Sequence, residues 1–116
     1  MKTVARMGAQ GDVVFRRIEG LPVGARREER DGPVVVAHSE TGHHHVVASE
    51  RAEFYSGSDP FVGFLRFDGA YVDVEHLRTF DTHETLRLLG NDDGPSFYEV
   101  RRQREHNFEG WQPAID

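Results

Sequence analysis

Short apolar runs separated by turn residues dominate the chain and predict a mostly β fold. Runs rich in β-branched and aromatic residues are typical of strands, because such side chains pack well on a pleated surface. The clearest runs span residues 13–18, 34–38, 61–67, 71–75 and 97–104. In the last run, the alternation predicts that Tyr98 and Val100 face inward. We therefore expect one domain over residues 1–116, a small antiparallel barrel or sandwich of about seven to nine short strands.

Two regions bear on how the strands connect. Asp68-Gly69 joins two apolar runs and is a strong hairpin signal, so these two runs are predicted to pair with each other. The stretch 81–90 is ambiguous. Asp81 followed by Glu84 fits a helix capping box, whereas the threonines and leucines of the stretch alternate as in a strand.

Composition and charge narrow the class of protein. The 116 residues are 37% hydrophobic and 29% charged, which is typical of a globular domain with one core. The net charge of -6 argues against general binding to nucleic acid or to an anionic membrane, since both need clustered positive charge. The absence of cysteine excludes disulfides, thiolate metal ligands and a cysteine nucleophile.

The sequence also bears on localisation and on cofactors. No stretch approaches the roughly 18 apolar residues of a membrane span, and the first residues lack the apolar region of a signal peptide. A cytoplasmic protein is therefore expected. There is no glycine-rich phosphate loop and no dinucleotide fingerprint, so no nucleotide cofactor is predicted.

Histidines supply the strongest candidate site. Four of the chain's seven histidines lie within residues 38–45. In an extended strand, His43 and His45 project from one face and His44 from the other. Two neutral imidazoles on one face can bind a divalent transition metal such as zinc, nickel, iron or manganese. The alternative is a polar, hydrogen-bonded turn without a ligand.

A metal site needs at least one further ligand. Glu50 and His83 are the two main candidates, and His76 and His106 are looser ones. A metal would also allow chemistry, because zinc lowers the pKa of bound water to about 7. Glu40 or Glu84 could then act as general base. Without a metal, either carboxylate paired with a histidine could carry out acid–base catalysis.

The segment Gly42-His43-His44-His45, with Glu50 after it, resembles the first metal motif of the cupins. Cupins are small β-barrels whose ligands are a His-x-His pair, a following Glu and a later His. The resemblance implies that His43, His45 and Glu50 are metal ligands, with His83 in the last position. Ala37 stands where the cupin motif has a glycine.

A second resemblance spans most of the chain. Its motifs are Gln10-Gly11-Asp12-Val13, Leu21-Pro22, residues 40–45, Thr82-His83-Glu84 and residues 98–105. They look like a small family of uncharacterised bacterial and phage proteins, with a Gln-Gly-Asp-Val start, a Thr-Gly-His-x-His centre, a His-Glu-Glu-His segment and a Gln-Arg-Glu-Tyr end. The resemblance implies no reaction, but it implies a turn and a final strand after His83, which favours a strand or loop within 81–90. Leu86 replaces the second His of that pattern, and His106 replaces its Tyr.

Three functional hypotheses follow. The first is an accessory or binding protein with a His-lined site for a divalent metal or a small ligand. The second is a cupin-like metalloenzyme that acts on a small molecule. The third is a structural or protein-interaction module, such as a homodimer formed by paired strand edges.

Overall fold

The computed structural model describes residues 1–29, 32–38, 44–77 and 84–102, and these residues form eleven strands. The strands are β1 Lys2–Val4, β2 Met7–Gln10, β3 Val13–Ile18, β4 Arg26–Arg27, β5 Val34–His38, β6 His44–Val47, β7 Ala52–Ser56, β8 Val62–Asp68, β9 Tyr71–Leu77, β10 Leu86–Leu89 and β11 Pro95–Arg102. The described residues contain no helix, which confirms the β-rich prediction. None of the described segments is therefore a helix that could cross a membrane.

The strands form two sheets that pack as a sandwich. Sheet A has the order β1-β10-β9-β6-β5, and sheet B has the order β2-β3-β11-β8-β7-β4. Neighbouring strands are antiparallel except β1 and β10, which pair in parallel. The sandwich therefore agrees with the predicted class. The expected seven to nine strands were too few, because short edge strands such as β1, β2 and β4 carry no apolar run.

Alternating side chains from both sheets build one core. On sheet A the inward residues are Val4, Val34, Val36, Val47, Val72, Val74, Leu86 and Leu88. On sheet B they are Val13, Phe15, Ala52, Phe54, Leu65, Phe67, Tyr98 and Val100. The predicted inward orientation of Tyr98 and Val100 is confirmed. The Tyr98 hydroxyl also donates to the carbonyl oxygen of Leu89 at 2.6 Å, which ties β11 to β10 across the sandwich.

The hairpin predicted at Asp68-Gly69 is wrong, although the turn itself forms. Gly69 has a φ of 101°, which is the left-handed conformation that glycine adopts without strain. The flanking strands enter different sheets: β8 pairs with β7 and β11, whereas β9 pairs with β6 and β10. The turn is a corner of the sandwich. The chain passes there from β8 in sheet B to β9 in sheet A, and each strand buries its apolar face in the core between the sheets.

The strand preferred within residues 81–90 is confirmed for residues 86–89. In β10 the side chains of Leu86 and Leu88 are buried, and the strand lies between β1 and β9. Leu86 is the residue that replaces a histidine of the resembled family pattern. Its side chain is part of the core, so this position contributes packing here.

Candidate functional site

Strand order brings several histidine positions to one end of sheet A. β5 ends at His38, β6 begins at His44, and β9 ends at Leu77. His44 pairs with both His38 and Leu77 in the two adjacent ladders. The next position of β6 sets His45 directly opposite His76 of β9. Antiparallel pairing thus joins two histidines that are distant in sequence.

His45 and His76 form a buried, stacked pair. Each side chain is 1% exposed. Their ring centroids are 4.3 Å apart, and the ring planes differ by 15°. The predicted parity of β6 is confirmed in its described part, because His45 shares the core-facing side with the buried Val47.

Gln10, the last residue of β2, connects sheet B to this pair. Its buried side-chain amide lies with Oε1 2.8 Å from Nδ1 of His45. Its Nε2 donates to the carbonyl oxygen of Val74 at 2.8 Å and to that of Glu84 at 3.0 Å. One amide therefore binds β9, the segment before β10 and the imidazole on β6. A buried polar side chain is stable there because its hydrogen-bonding groups are satisfied.

Asp12 faces the other ring nitrogen of His45. It lies in the two-residue turn between β2 and β3, where Gly11 takes a φ of 60°. Its Oδ1 is 3.9 Å from Nε2 of His45, and its side chain is 19% exposed. A partly exposed carboxylate at this distance favours a positive charge at Nε2, whether that charge is a proton or a bound cation. We call Gln10, Asp12, His45 and His76 the histidine cluster.

The predicted metal ligands do not all lie at the histidine cluster, and some lie outside the described residues. His45 belongs to the histidine cluster, whereas Glu50 lies in the exposed turn beyond the opposite end of β6. The structure therefore does not bring Glu50 to His45. Outside the described residues lie His43, His83, His106 and Glu40. Within the described residues, no group of three or more His, Asp or Glu is arranged to hold a metal ion.

Glu84, a candidate general base, is described. Its carboxylate is exposed, and Oε2 accepts a hydrogen bond from the N-terminal ammonium group of Met1 at 2.8 Å. Its backbone carbonyl is the group that binds Gln10. In this arrangement Glu84 contributes to the histidine cluster through its main chain, and its carboxylate is engaged elsewhere.

Two surface grooves lie away from the histidine cluster. One, of about 260 Å³, lies between the sheets and is lined by residues that include Val36, Phe54 and Arg102. The other, of about 790 Å³, is lined by residues that include Arg6 and Phe97. Neither groove is lined by a histidine. The two grooves are therefore separate from the histidine cluster.

The sequence indicated His45 as a main ligand candidate and His76 as a looser one, but it did not indicate Gln10 or Asp12 as site residues. His76 had a usable signal, because the alternation of Val72 and Val74 on the buried face continues to residue 76. Gln10 and Asp12 had a weaker one, since both belong to the Gln-Gly-Asp-Val motif of the resembled family. Periodicity gave no reason to place that motif beside a histidine on another sheet.

Comparison with known protein families gives one match. It covers residues 9–103, and the family is described as a domain of unknown function, DUF8820. The matched range contains the whole histidine cluster. Comparisons with curated proteins and with solved structures give no match. Because the match covers most of the chain, the protein belongs to this family of domains of unknown function.

Proposed function

We propose that this protein binds a divalent transition metal ion at the histidine-rich end of the sandwich. The observation that carries the proposal is the histidine cluster itself, in which a buried imidazole is hydrogen-bonded at one nitrogen and faces a carboxylate with the other. Imidazole nitrogen and carboxylate oxygen are ligands for zinc and related metals. A ligating histidine typically donates its second N–H to an oxygen acceptor, and Gln10 supplies one here.

The further ligands are proposed from the sequence. In the sequence, His43 directly precedes His44, the first residue of β6. His83 directly precedes Glu84 in the sequence, and the carbonyl oxygen of Glu84 accepts a hydrogen bond from Gln10. In the sequence, both histidines therefore adjoin residues that lie at this end of the sandwich. Glu50 is the less favoured candidate, because it lies beyond the far end of β6.

Binding is preferred to catalysis for a specific reason. The metalloenzyme hypothesis needs a general base beside the metal, and among the described residues the candidate base Glu84 has its carboxylate exposed at the surface. The cupin-like enzyme, the bacterial or phage origin, the cytoplasmic location and the choice among zinc, nickel, iron and manganese all remain predictions. The interaction module without a metal is the alternative that the next experiment separates from metal binding.

The experiment uses the full chain, expressed and purified without a polyhistidine tag. We expect bound transition metal in elemental analysis and a saturable heat of binding on titration with zinc or nickel. His45→Gln should remove this binding, and His43→Ala and His83→Ala should weaken it. Glu75→Gln is the matched control, since Glu75 is an exposed carboxylate beside His76 on β9.

Two results would overturn the proposal. One is protein that is free of metal and also has no affinity for added zinc or nickel. The other is binding that persists unchanged in His45→Gln while the variant stays folded by circular dichroism. In the first case the interaction module becomes the better explanation, and light scattering would then test for the paired-edge homodimer.

A further inference from the structure

The orientation of the Gln10 amide is determined by its surroundings. Its nitrogen lies 2.8 Å and 3.0 Å from two backbone carbonyl oxygens, those of Val74 and Glu84. Carbonyl oxygens only accept hydrogen bonds, so the NH₂ group must face them. The reversed amide would set its own oxygen against both carbonyls and lose both hydrogen bonds, one of which is buried and the other partly buried. The amide oxygen is therefore the atom that faces His45.

This orientation fixes the tautomer of His45. Oε1 of Gln10 can only accept, so Nδ1 of His45, 2.8 Å away, must donate. A neutral imidazole carries one N–H, so a proton on Nδ1 leaves a lone pair on Nε2. Nε2 is the nitrogen that faces Asp12. Gln10 thus acts as a positioning residue that directs the basic nitrogen of His45 towards a carboxylate.

The spacing of Nε2 and Asp12 is close to that of two ligands of one ion. Ligand atoms about 2.0–2.2 Å from a tetrahedral zinc ion lie about 3.3–3.6 Å from each other. The separation in this structure is 3.9 Å. A movement of a few tenths of an ångström by Asp12 would close the difference, and Asp12 lies in a surface turn with a partly exposed side chain.

His76 is excluded as a second imidazole ligand of the same ion in this arrangement. The lone pair of an imidazole nitrogen lies in the plane of its ring. The planes of His45 and His76 differ by 15°, and the centroids are 4.3 Å apart, so the lone pairs lie in two nearly parallel planes that do not meet at one ion. In this stacked pair, His45 is therefore the ligand and His76 is its packing partner.

We propose that Asp12 and Nε2 of His45 are two ligands of the same divalent cation, and that Gln10 sets the His45 tautomer that makes this possible. The inference rests on the proposed metal-binding function and specifies its ligands. Asp12 takes the carboxylate position that the sequence resemblance assigns to Glu50. His76 supports the imidazole by stacking.

The first test needs no metal. Two-dimensional ¹⁵N–¹H correlation spectra of the histidine rings report which nitrogen carries the proton. In its neutral form, His45 should show a protonated Nδ1 and an unprotonated Nε2. In Gln10→Leu the Nε2–H tautomer should gain population. A wild-type His45 with its proton on Nε2 would overturn the assignment of Gln10.

The second test uses zinc titration of the wild-type protein and two carboxylate variants. Asp12→Asn should weaken zinc binding by about tenfold or more, since loss of a ligand costs at least as much as the 10–100-fold loss of a supporting group. Asp92→Asn is the matched control, as Asp92 is exposed in a turn at the other end of β10. On zinc addition, the Nε2 resonance of His45 should shift.

The outcomes separate the two proposals. If zinc binds and His45→Gln abolishes binding but Asp12→Asn does not weaken it, the ligand assignment fails and the proposed function survives. If no metal binds at all, both the function and the ligand assignment fail. In that second case, the ring spectra still decide whether Gln10 sets the tautomer of His45.

Discussion

His45 and His76 stack in nearly parallel planes across β6 and β9, with ring centroids 4.3 Å apart. The two imidazoles lie directly opposite each other in the ladder, and both are buried. A pair of neighbouring histidines would ordinarily suggest two ligands of one ion. The stacking geometry instead gives them different roles, since their in-plane lone pairs do not meet.

Substitution of each histidine in turn tests this division of roles. We expect His45→Leu to abolish zinc binding and His76→Leu to keep zinc affinity within about threefold, because leucine retains apolar packing against the ring. Calorimetric titration of the two folded variants measures the difference. Equal loss of affinity in both would mean that His76 also coordinates the ion.

Gln10→Leu should destabilise the fold. The substitution removes the donor from two carbonyl groups and the acceptor from Nδ1 of His45. Two of these three hydrogen bonds are buried, and each buried group left without its partner costs about 1–3 kcal/mol, so a loss of about 2–6 kcal/mol in the free energy of unfolding is expected. Urea denaturation measures it. A loss below about 0.5 kcal/mol, which is usual for an exposed surface position, would contradict the role of Gln10 as a bridge.

Tyr98 should make the protein sensitive to alkali. Burial raises the pKa of its hydroxyl above the ordinary value of 10.0. As pH rises through 10.0, the unfolded chain loses this proton while the folded chain keeps it. The stability is therefore complete below that pH and falls above it, by up to about 1.4 kcal/mol per pH unit, until the folded-state pKa is reached.

The comparison with Tyr98→Phe isolates this contribution. The variant loses the hydrogen bond to Leu89 and should be about 1 kcal/mol less stable near neutral pH. Its stability should fall less steeply than that of the wild type in urea titrations from about pH 8 to about pH 11. Parallel pH profiles would show that Tyr98 does not carry the alkaline effect.

Gly63 is required by the packing of Phe54. A Cβ atom at this position of β8 would overlap the ring of Phe54 on the neighbouring strand β7. Gly63→Ala should cost about 1–3 kcal/mol in the free energy of unfolding, which is typical of an overpacked core. Gly94→Ala is the control, because a Cβ there meets no atom within 4 Å.

A double variant checks the cause of the Gly63 effect. Phe54→Leu shortens the side chain that blocks the added methyl group. The combined loss in Gly63→Ala with Phe54→Leu should therefore be smaller than the sum of the two single losses. Strict additivity would indicate that the cost arises from the backbone and not from this contact.

Local pattern predicted the individual strands well and their partners poorly. The alternation around Tyr98 and Val100 specified which side chains enter the core, since successive residues of a strand face opposite ways. The Asp68-Gly69 turn was also correct as a turn. Its flanking strands nevertheless pair with other partners, because pairing depends on which arrangement buries both apolar faces.

For the candidate site, too, the sequence predicted local orientation but not long-range contacts. Parity in β6 predicted that His45 and Val47 share one face, which needs only the period of a strand, and the structure shows that both are buried. The sequence did not predict that Gln10 and Asp12 would lie against the two nitrogens of that imidazole. His43 and His83, the other proposed ligands, lie outside the described residues.

The sequence by itself determined a β-rich fold and the inward orientation of its central strands, because strand periodicity is a local property of the chain. Only the tertiary structure decided that the end of β2, its following turn, β6 and β9 meet around one imidazole. Such contacts join segments far apart in the chain and across two sheets. Their geometry follows from packing the whole core, which no local pattern encodes.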